Sequence, residues 1–156
     1  MDRPDTLITA LVDEDCLLRQ LMAQWPPESR DVPGPGSNLS FKDTLGHLAF
    51  WDTFAVDFFT GKLGSSTEIP RQPVNFEEQS RLELERLRLL PFDEVLQFYS
   101  QATRGILDFL RENWAELSSR ERLDFAVPLK HRRHHRLLLR KTLISLPPPA
   151  ASRERA

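Results

Sequence analysis

A chain of 156 residues is long enough to bury one core and too short for two of ordinary size, so one domain is expected. With 40% hydrophobic and 28% charged residues and a formal charge of -2, the composition is globular and excludes a general binder of polyanions such as nucleic acid. The lone Cys16 excludes an intramolecular disulfide. The opening Met-Asp-Arg-Pro-Asp lacks the runs of a secretory signal, and no stretch approaches the roughly 20 apolar residues of a membrane span, so a cytoplasmic protein without membrane contact is expected.

The first helix is predicted over residues 6–24, with Asp5 as N-cap and Leu7, Leu11, Leu18, Leu21 and Trp25 drawing one apolar stripe. Pro26 and Pro27 stop it, and residues 26–39, with Val32-Pro33-Gly34-Pro35-Gly36, read as a loop. Ser40 followed by Asp43 is a capping pair that opens a second helix, which ends near Thr60 before Gly61. At the helical period Thr44, His47, Trp51, Phe54, Ala55 and Phe58 share one face, with Lys42, Thr53 and Val56 largely opposite. His47 is therefore expected to point inward among aromatics.

A connector rich in Gly, Ser and Pro spans residues 61–73, and a short charged helix is predicted over 76–89. Pro91 suits a first helical turn, and Val95, Phe98, Ala102, Ile106, Phe109 and Leu110 give a third long helix that ends near Trp114. Ser118 and Ser119 begin a break that Pro128 closes, and a last helix over 129–146 is halted by Pro147-Pro148-Pro149. No repeat and no alternating strand pattern is found. The expected fold is all-α: an antiparallel four-helix bundle over residues 1–146, with a long connection between its second and third long helices and a disordered tail over 147–156.

Three of the four histidines crowd into Lys130-His131-Arg132-Arg133-His134-His135-Arg136 on the last predicted helix. His131 and His135 stand one turn apart, the spacing at which two imidazoles can hold one metal ion. His131, His135, Leu138 and Thr142 share one direction, with His134 at its margin. Arg133, Arg136 and Arg140 lie opposite, and Arg132 and Lys141 flank. The arginines are thus expected to face water and the histidines the bundle. Alone, His47 would be read as a hydrogen-bonded core histidine. Several imidazoles buried together without partners forfeit about 1–3 kcal/mol each, a cost that a shared metal removes. Imidazole suits Zn, Ni, Cu and Fe, and three such ligands leave a coordination position open.

These residues resemble the DinB/YfiT-like superfamily of metal-dependent helical bundles. Its Leu-x-His-Leu motif is matched in Ser40-Phe41-Lys42-Asp43-Thr44-Leu45-Gly46-His47-Leu48, and its His-x-x-His-His-Arg motif by residues His131 to Arg136. The resemblance follows the order of helices over residues 5–146. It implies His47, His131 and His135 as metal ligands, with His134 beside the site. Leu137-Leu138 stand where the family often has Gly-Gln, which alters the pocket wall.

The implied cofactor is a divalent metal, Zn or Ni before Fe or Mn, with a low-molecular-weight thiol as an open addition. The implied function is a metal-dependent thiol transferase or hydrolase in detoxification or stress, acting on a small-molecule substrate, with a homodimer left open. The activated species would be a water or a thiol, with the usual loss of metal as imidazoles protonate near pH 6.5. No separate general base is assigned. Asp52 and Asp57 fall off the His47 face, and Asp43 is explained by the cap. His134, Thr44, Trp51, Phe54 and Phe58 are expected around the pocket, although packing in the core is the favoured reading of the three aromatics.

Two alternatives from other classes stand beside this one. One is a non-catalytic bundle that dimerises or binds a small molecule. The other is a basic docking helix that uses Arg132, Arg133, Arg136, Arg140 and Lys141 on acidic partners. Cys16, between acidic and apolar neighbours, is expected to be inert.

Overall fold

A computed structural model describes residues 4–34, 38–63 and 75–146. In order these form α1 (Pro4–Gln24), a 3-10 turn (Pro27–Ser29), α2 (Phe41–Leu63), α3 (Phe76–Arg88), α4 (Phe92–Asn113), α5 (Ser119–Asp124) and α6 (Ala126–Ser145), with no strand among the described residues. No helix among them is long and apolar enough to cross a membrane. The connector beyond Leu63, the Pro147-Pro148-Pro149 stop and the tail 147–156 lie outside the described residues.

Local chemistry sets most boundaries. Pro4 takes the first helical position of α1, which moves Asp5 from the expected N-cap into the first turn, where its carboxylate still faces free N–H groups. At α2 the Ser40 N–H donates to Asp43 Oδ2 at 3.1 Å and the Asp43 N–H to Ser40 Oγ at 3.0 Å, the reciprocal cap expected from sequence. The helix then runs past its predicted stop. Gly61 lies inside it, and the roughly 1 kcal/mol that glycine costs relative to alanine does not end a helix by itself.

The segment read as a break before Pro128 is instead α5, started by a capping box in which Glu121 Oε2 accepts from the Ser118 N–H at 2.8 Å and Ser118 Oγ from the Glu121 N–H at 3.3 Å. Pro128 does not interrupt the chain either. It occupies the third residue of α6, in the turn whose N–H groups need no intrahelical partner.

Two apolar clusters fill the interior. One gathers Leu18, Leu21 and Trp25 with Phe41, Leu45, Leu48, Ala49, Leu87, Val95, Tyr99, Ala102 and Leu139. The other gathers Leu7 and Leu11 with Phe59, Ile106, Phe109, Leu110, Trp114, Leu117, Phe125 and Leu129. Along each long helix a buried or half-buried polar residue separates the two: Glu14 and Asp15 on α1, Asp52 on α2, Thr103 on α4 and Arg132 on α6. The order of contacts also fixes direction. Helices α1 and α6 run from the second cluster to the first, and α2 and α4 from the first to the second. Antiparallel relations therefore hold between these pairs, whereas α2 with α4 and α1 with α6 run parallel. The excursion through α3 makes this arrangement feasible, since it returns the chain to the end from which α2 began.

Helix α3 is pinned to α2. A Cβ at Gly46 would lie 2.6 Å from Leu87 Cδ1, so the bare backbone lets α3 approach one residue before His47. At this same C-terminal end of α3 Arg88 pairs with Asp43 at 3.0 Å, and Lys42 Nζ donates to the carbonyls of Arg88 and Leu90 at 3.2 and 3.1 Å.

Candidate metal centre

The structure brings together the three histidines that resemblance singled out. His47 Nε2 on α2 stands 3.1 Å from His131 Nε2 on α6, and His135 Nε2 stands 3.0 Å from the same atom. Ring centroids of His47 lie 4.9 Å from both His131 and His135. The ligand-capable nitrogens of all three fall within 4.8 Å of one another, and among the described residues no carboxylate joins that group.

Hydrogen bonding alone serves this arrangement poorly. A neutral imidazole carries one N–H and one lone pair, so His131 Nε2 can donate to only one neighbour or offer one lone pair to both. A cation accepts all three lone pairs. At bond lengths of about 2.1 Å, nitrogens sharing an ion sit about 3.0 Å apart at right angles and about 3.4 Å apart at the tetrahedral angle, so the observed spacings fit a common ion. The residues present therefore suit the group that the resemblance implies.

The surroundings keep the rings neutral. Burial lowers the His47 pKa below its ordinary value. Burial first, then the neighbouring His47, His134 and Arg132 charges, lower that of His131 to about 4. Burial and the charges of His131, His47 and His134 lower that of His135 to about 3. The ordinary histidine value assumed from sequence therefore does not describe these rings, because the helices remove the water that would solvate imidazolium.

His47 takes a second contact from α3, where Ser80 Oγ lies 3.5 Å from Nδ1, a long contact that leaves Nε2 turned to the other rings. Sequence reasoning gave Ser80 no role, and nothing in its charged helix marks it out.

The remaining pocket residues divide. Thr44 is buried with its hydroxyl donated to the Ser40 carbonyl at 2.9 Å, which commits it to the helix. His134 is exposed, its ring edge-on to His135 at 5.3 Å. Trp51 stands edge-on to His47 at 6.4 Å and leads into a row through Phe54 and Phe58, flanked by Phe50 and Phe76.

The expectation that this face of α2 points into the core is not met. Leu45, Leu48, Ala49, Asp52 and Phe59 face the core, while His47, Trp51 and Phe54 are half-buried and Phe58 is 42% exposed. Aromatic content outweighed the neighbouring leucine row in the angular count, and only packing shows which row is covered.

Two of the arginines also depart from expectation, Arg132 and Arg136, while Arg133 and Arg140 are exposed as expected. Arg132 is 2% exposed and bonds through Nη2 to Asp52, which is 1% exposed, and to Thr103 Oγ1 at 2.9 Å, while Nη1 donates to Tyr99 Oη at 2.6 Å. Tyr99 in turn donates to Asp15 Oδ1 at 2.8 Å. On the opposite side of α6, buried Glu14 accepts from Arg133 Nε at 2.9 Å and Arg136 Nε at 2.6 Å, so Arg136 is largely covered as well. Burial pushes the Glu14 carboxyl up, but the hydrogen bonds from Arg136 and Arg133 outweigh it and hold the carboxyl below its ordinary value. Burial drives the Asp52 carboxyl up to about 6 against the pull of Arg132, so the pair is ionised at neutral pH. A clue to Asp52 existed in the sequence, since it continues the row of Leu45, Leu48 and Ala49.

No protein-family model matches the chain, and no curated protein matches it in sequence. The chain is similar in structure to the crystal structure of an uncharacterised protein from Escherichia coli UTI89, with a TM-score of 0.71 and 14% identity over 93% of this chain and 95% of that one. At such identity the likeness is one of fold.

Proposed function

We propose that this chain is a metal-binding helical bundle of the DinB/YfiT-like kind, in which His47, His131 and His135 hold one divalent ion for a thiol transferase or hydrolase reaction on a small molecule. The observation that carries the proposal is the convergence of three Nε2 atoms from α2 and α6, with separations of 3.1 and 3.0 Å about His131. Neutral nitrogen donors without a carboxylate favour Zn or Ni, with Fe next, and disfavour Mn. A divalent ion so held supplies Lewis acidity to a water or a thiol at its open side. The protein's own part is to hold three neutral rings in place, with Ser80 against His47 Nδ1, and to offer the half-buried row of Trp51 and Phe54 to the apolar part of a substrate.

The experiment is thermal melting of untagged, chelator-treated protein with and without added Zn or Ni. At a metal concentration a hundredfold above the dissociation constant, binding stabilises by about 2.7 kcal/mol. For a chain of this size that raises the Tm by about 5–11 °C. His131→Ala should lose the increase. An equal shift in wild type and His131→Ala refutes the proposal.

A second reading takes the same three rings and the row of Trp51, Phe54 and Phe58, of which Phe58 is exposed, as a bundle that binds metal and small molecules without catalysing a reaction. Metal-loaded protein that leaves thiol and ester substrates unchanged would select it.

A further inference from the structure

We propose that Arg132, through its ion pair with Asp52, is a positioning residue that sets the rotation of α6 about its axis and thereby aims His131 and His135 at His47. The inference rests on reading these histidines as a cation site. Among the described residues, two polar ties cross between α2 and α6. One is the histidine contact, and the other is the Asp52–Arg132 pair, five residues further along α2 and one residue further along α6.

The second tie reaches every long helix. Arg132 of α6 touches Asp52 of α2, Tyr99 and Thr103 of α4 and, through Tyr99, Asp15 of α1. Its Nη1 also lies 4.0 Å from Asp15 Oδ1. The apolar residues above and below this layer constrain rotation weakly, because aliphatic contacts are non-directional and repack at small cost. A planar guanidinium with fixed donors has one orientation in which Asp52, Tyr99 and Thr103 are all served.

The lever arm decides how much this matters. A helix with its side chains is about 10–12 Å across, so turning α6 by about 20° would swing a ring nitrogen near its rim by about 2 Å. Ligand geometry tolerates about 0.5 Å. Buried ion pairs are poor devices for raising stability, and Arg132 keeps its Nε unpaired among the described residues. Specifying a register is the use that such groups serve best.

The test uses Asp52→Asn/Arg132→Met, which removes both charges together, and Arg132→Lys, which keeps the charge but not the fork. Ile106→Ala serves as a control that loosens the apolar cluster one turn beyond Thr103 without removing a member of the polar layer. Each is loaded with cobalt at a temperature well below its own melting point. The double variant should bind cobalt about 10–100-fold more weakly than wild type, with visible absorption bands altered in energy and intensity, while helical circular dichroism is retained. Arg132→Lys should fall between the two, and Ile106→Ala should bind as wild type despite its lower Tm.

Unchanged affinity and spectrum in the double variant overturn the proposal, as does an equal loss in Ile106→Ala. Should the double variant not fold, an unchanged spectrum in Arg132→Lys overturns it. If wild type takes up no cobalt, the metal reading alone fails. Crystal structures of metal-free wild type and Arg132→Lys then decide, through Nε2 separations that widen from 3.0 and 3.1 Å in the variant or do not.

Discussion

The buried pair makes a prediction whose size depends on pH. Asp52→Asn leaves the Arg132 guanidinium in the core without its main counter-charge, which typically costs about 3–5 kcal/mol. Asp15 Oδ1, still 4.0 Å away, keeps the cost at the lower end. A loss of about 3 kcal/mol corresponds to a Tm about 6–12 °C lower for a chain of this size.

Arg132→Met leaves the opposite charge, but a carboxyl can neutralise itself. Burial already lifts Asp52 to about 6 with Arg132 pulling it down, so without Arg132 its pKa rises further. A folded-state pKa above the unfolded value means that the folded protein binds more protons, so stability is lost as pH rises through that pKa and regained as pH falls. Wild type follows the same rule below about pH 6. The penalty of Arg132→Met relative to wild type should therefore shrink between pH 8.5 and pH 6, by about 1.4 kcal/mol for each unit by which the variant pKa exceeds the wild-type one. The penalty of Asp52→Asn should stay flat over that range. Thermal or urea unfolding of the three proteins across those pH values measures this, and loss of the Arg132 charge beside His131 intrudes little, because that ring titrates near pH 4, below the range compared. An Arg132→Met penalty that is constant with pH, or an Asp52→Asn penalty that tracks it, would refute the account.

Ile106→Ala removes a fully buried side chain from the second apolar cluster and should cost about 2–5 kcal/mol in urea unfolding. A loss below about 1 kcal/mol would mean that the cluster is loosely packed. Ser118→Ala breaks the capping box of α5 and should lower stability by about 1 kcal/mol, with faster amide exchange over Ser119–Asp124. Unchanged exchange there would show that packing, not the cap, holds α5. His134→Ala, at an exposed position, should leave both Tm and metal uptake at wild-type values, and loss of metal would bring His134 into the centre.

Much of the molecule was legible in one dimension because it depends on neighbours along the chain. The stripes of α1 and α4, the Ser40–Asp43 cap and the turn-spaced His131 and His135 follow from helical periodicity and from the backbone groups left free at helix ends. The helix α5 is equally local, in Ser118 and Glu121, but Ser118, Ser119 and Pro128 around it also read as breakers, which masks the capping box in one dimension.

Only tertiary structure decided which row of a helix is covered and by what. Angular counting on α6 alone places Arg132 and Arg136 in water, since it cannot see Glu14 arriving from α1 on one side and Asp52 from α2 on the other. The same blindness made the aromatic row of α2 look like core, while the neighbouring leucine row took that place. The meeting of His47 with His131 joins residues 84 apart in sequence. Periodicity supplies the angle of each ring on its own helix, but the distance between rings is a property of how two helices cross.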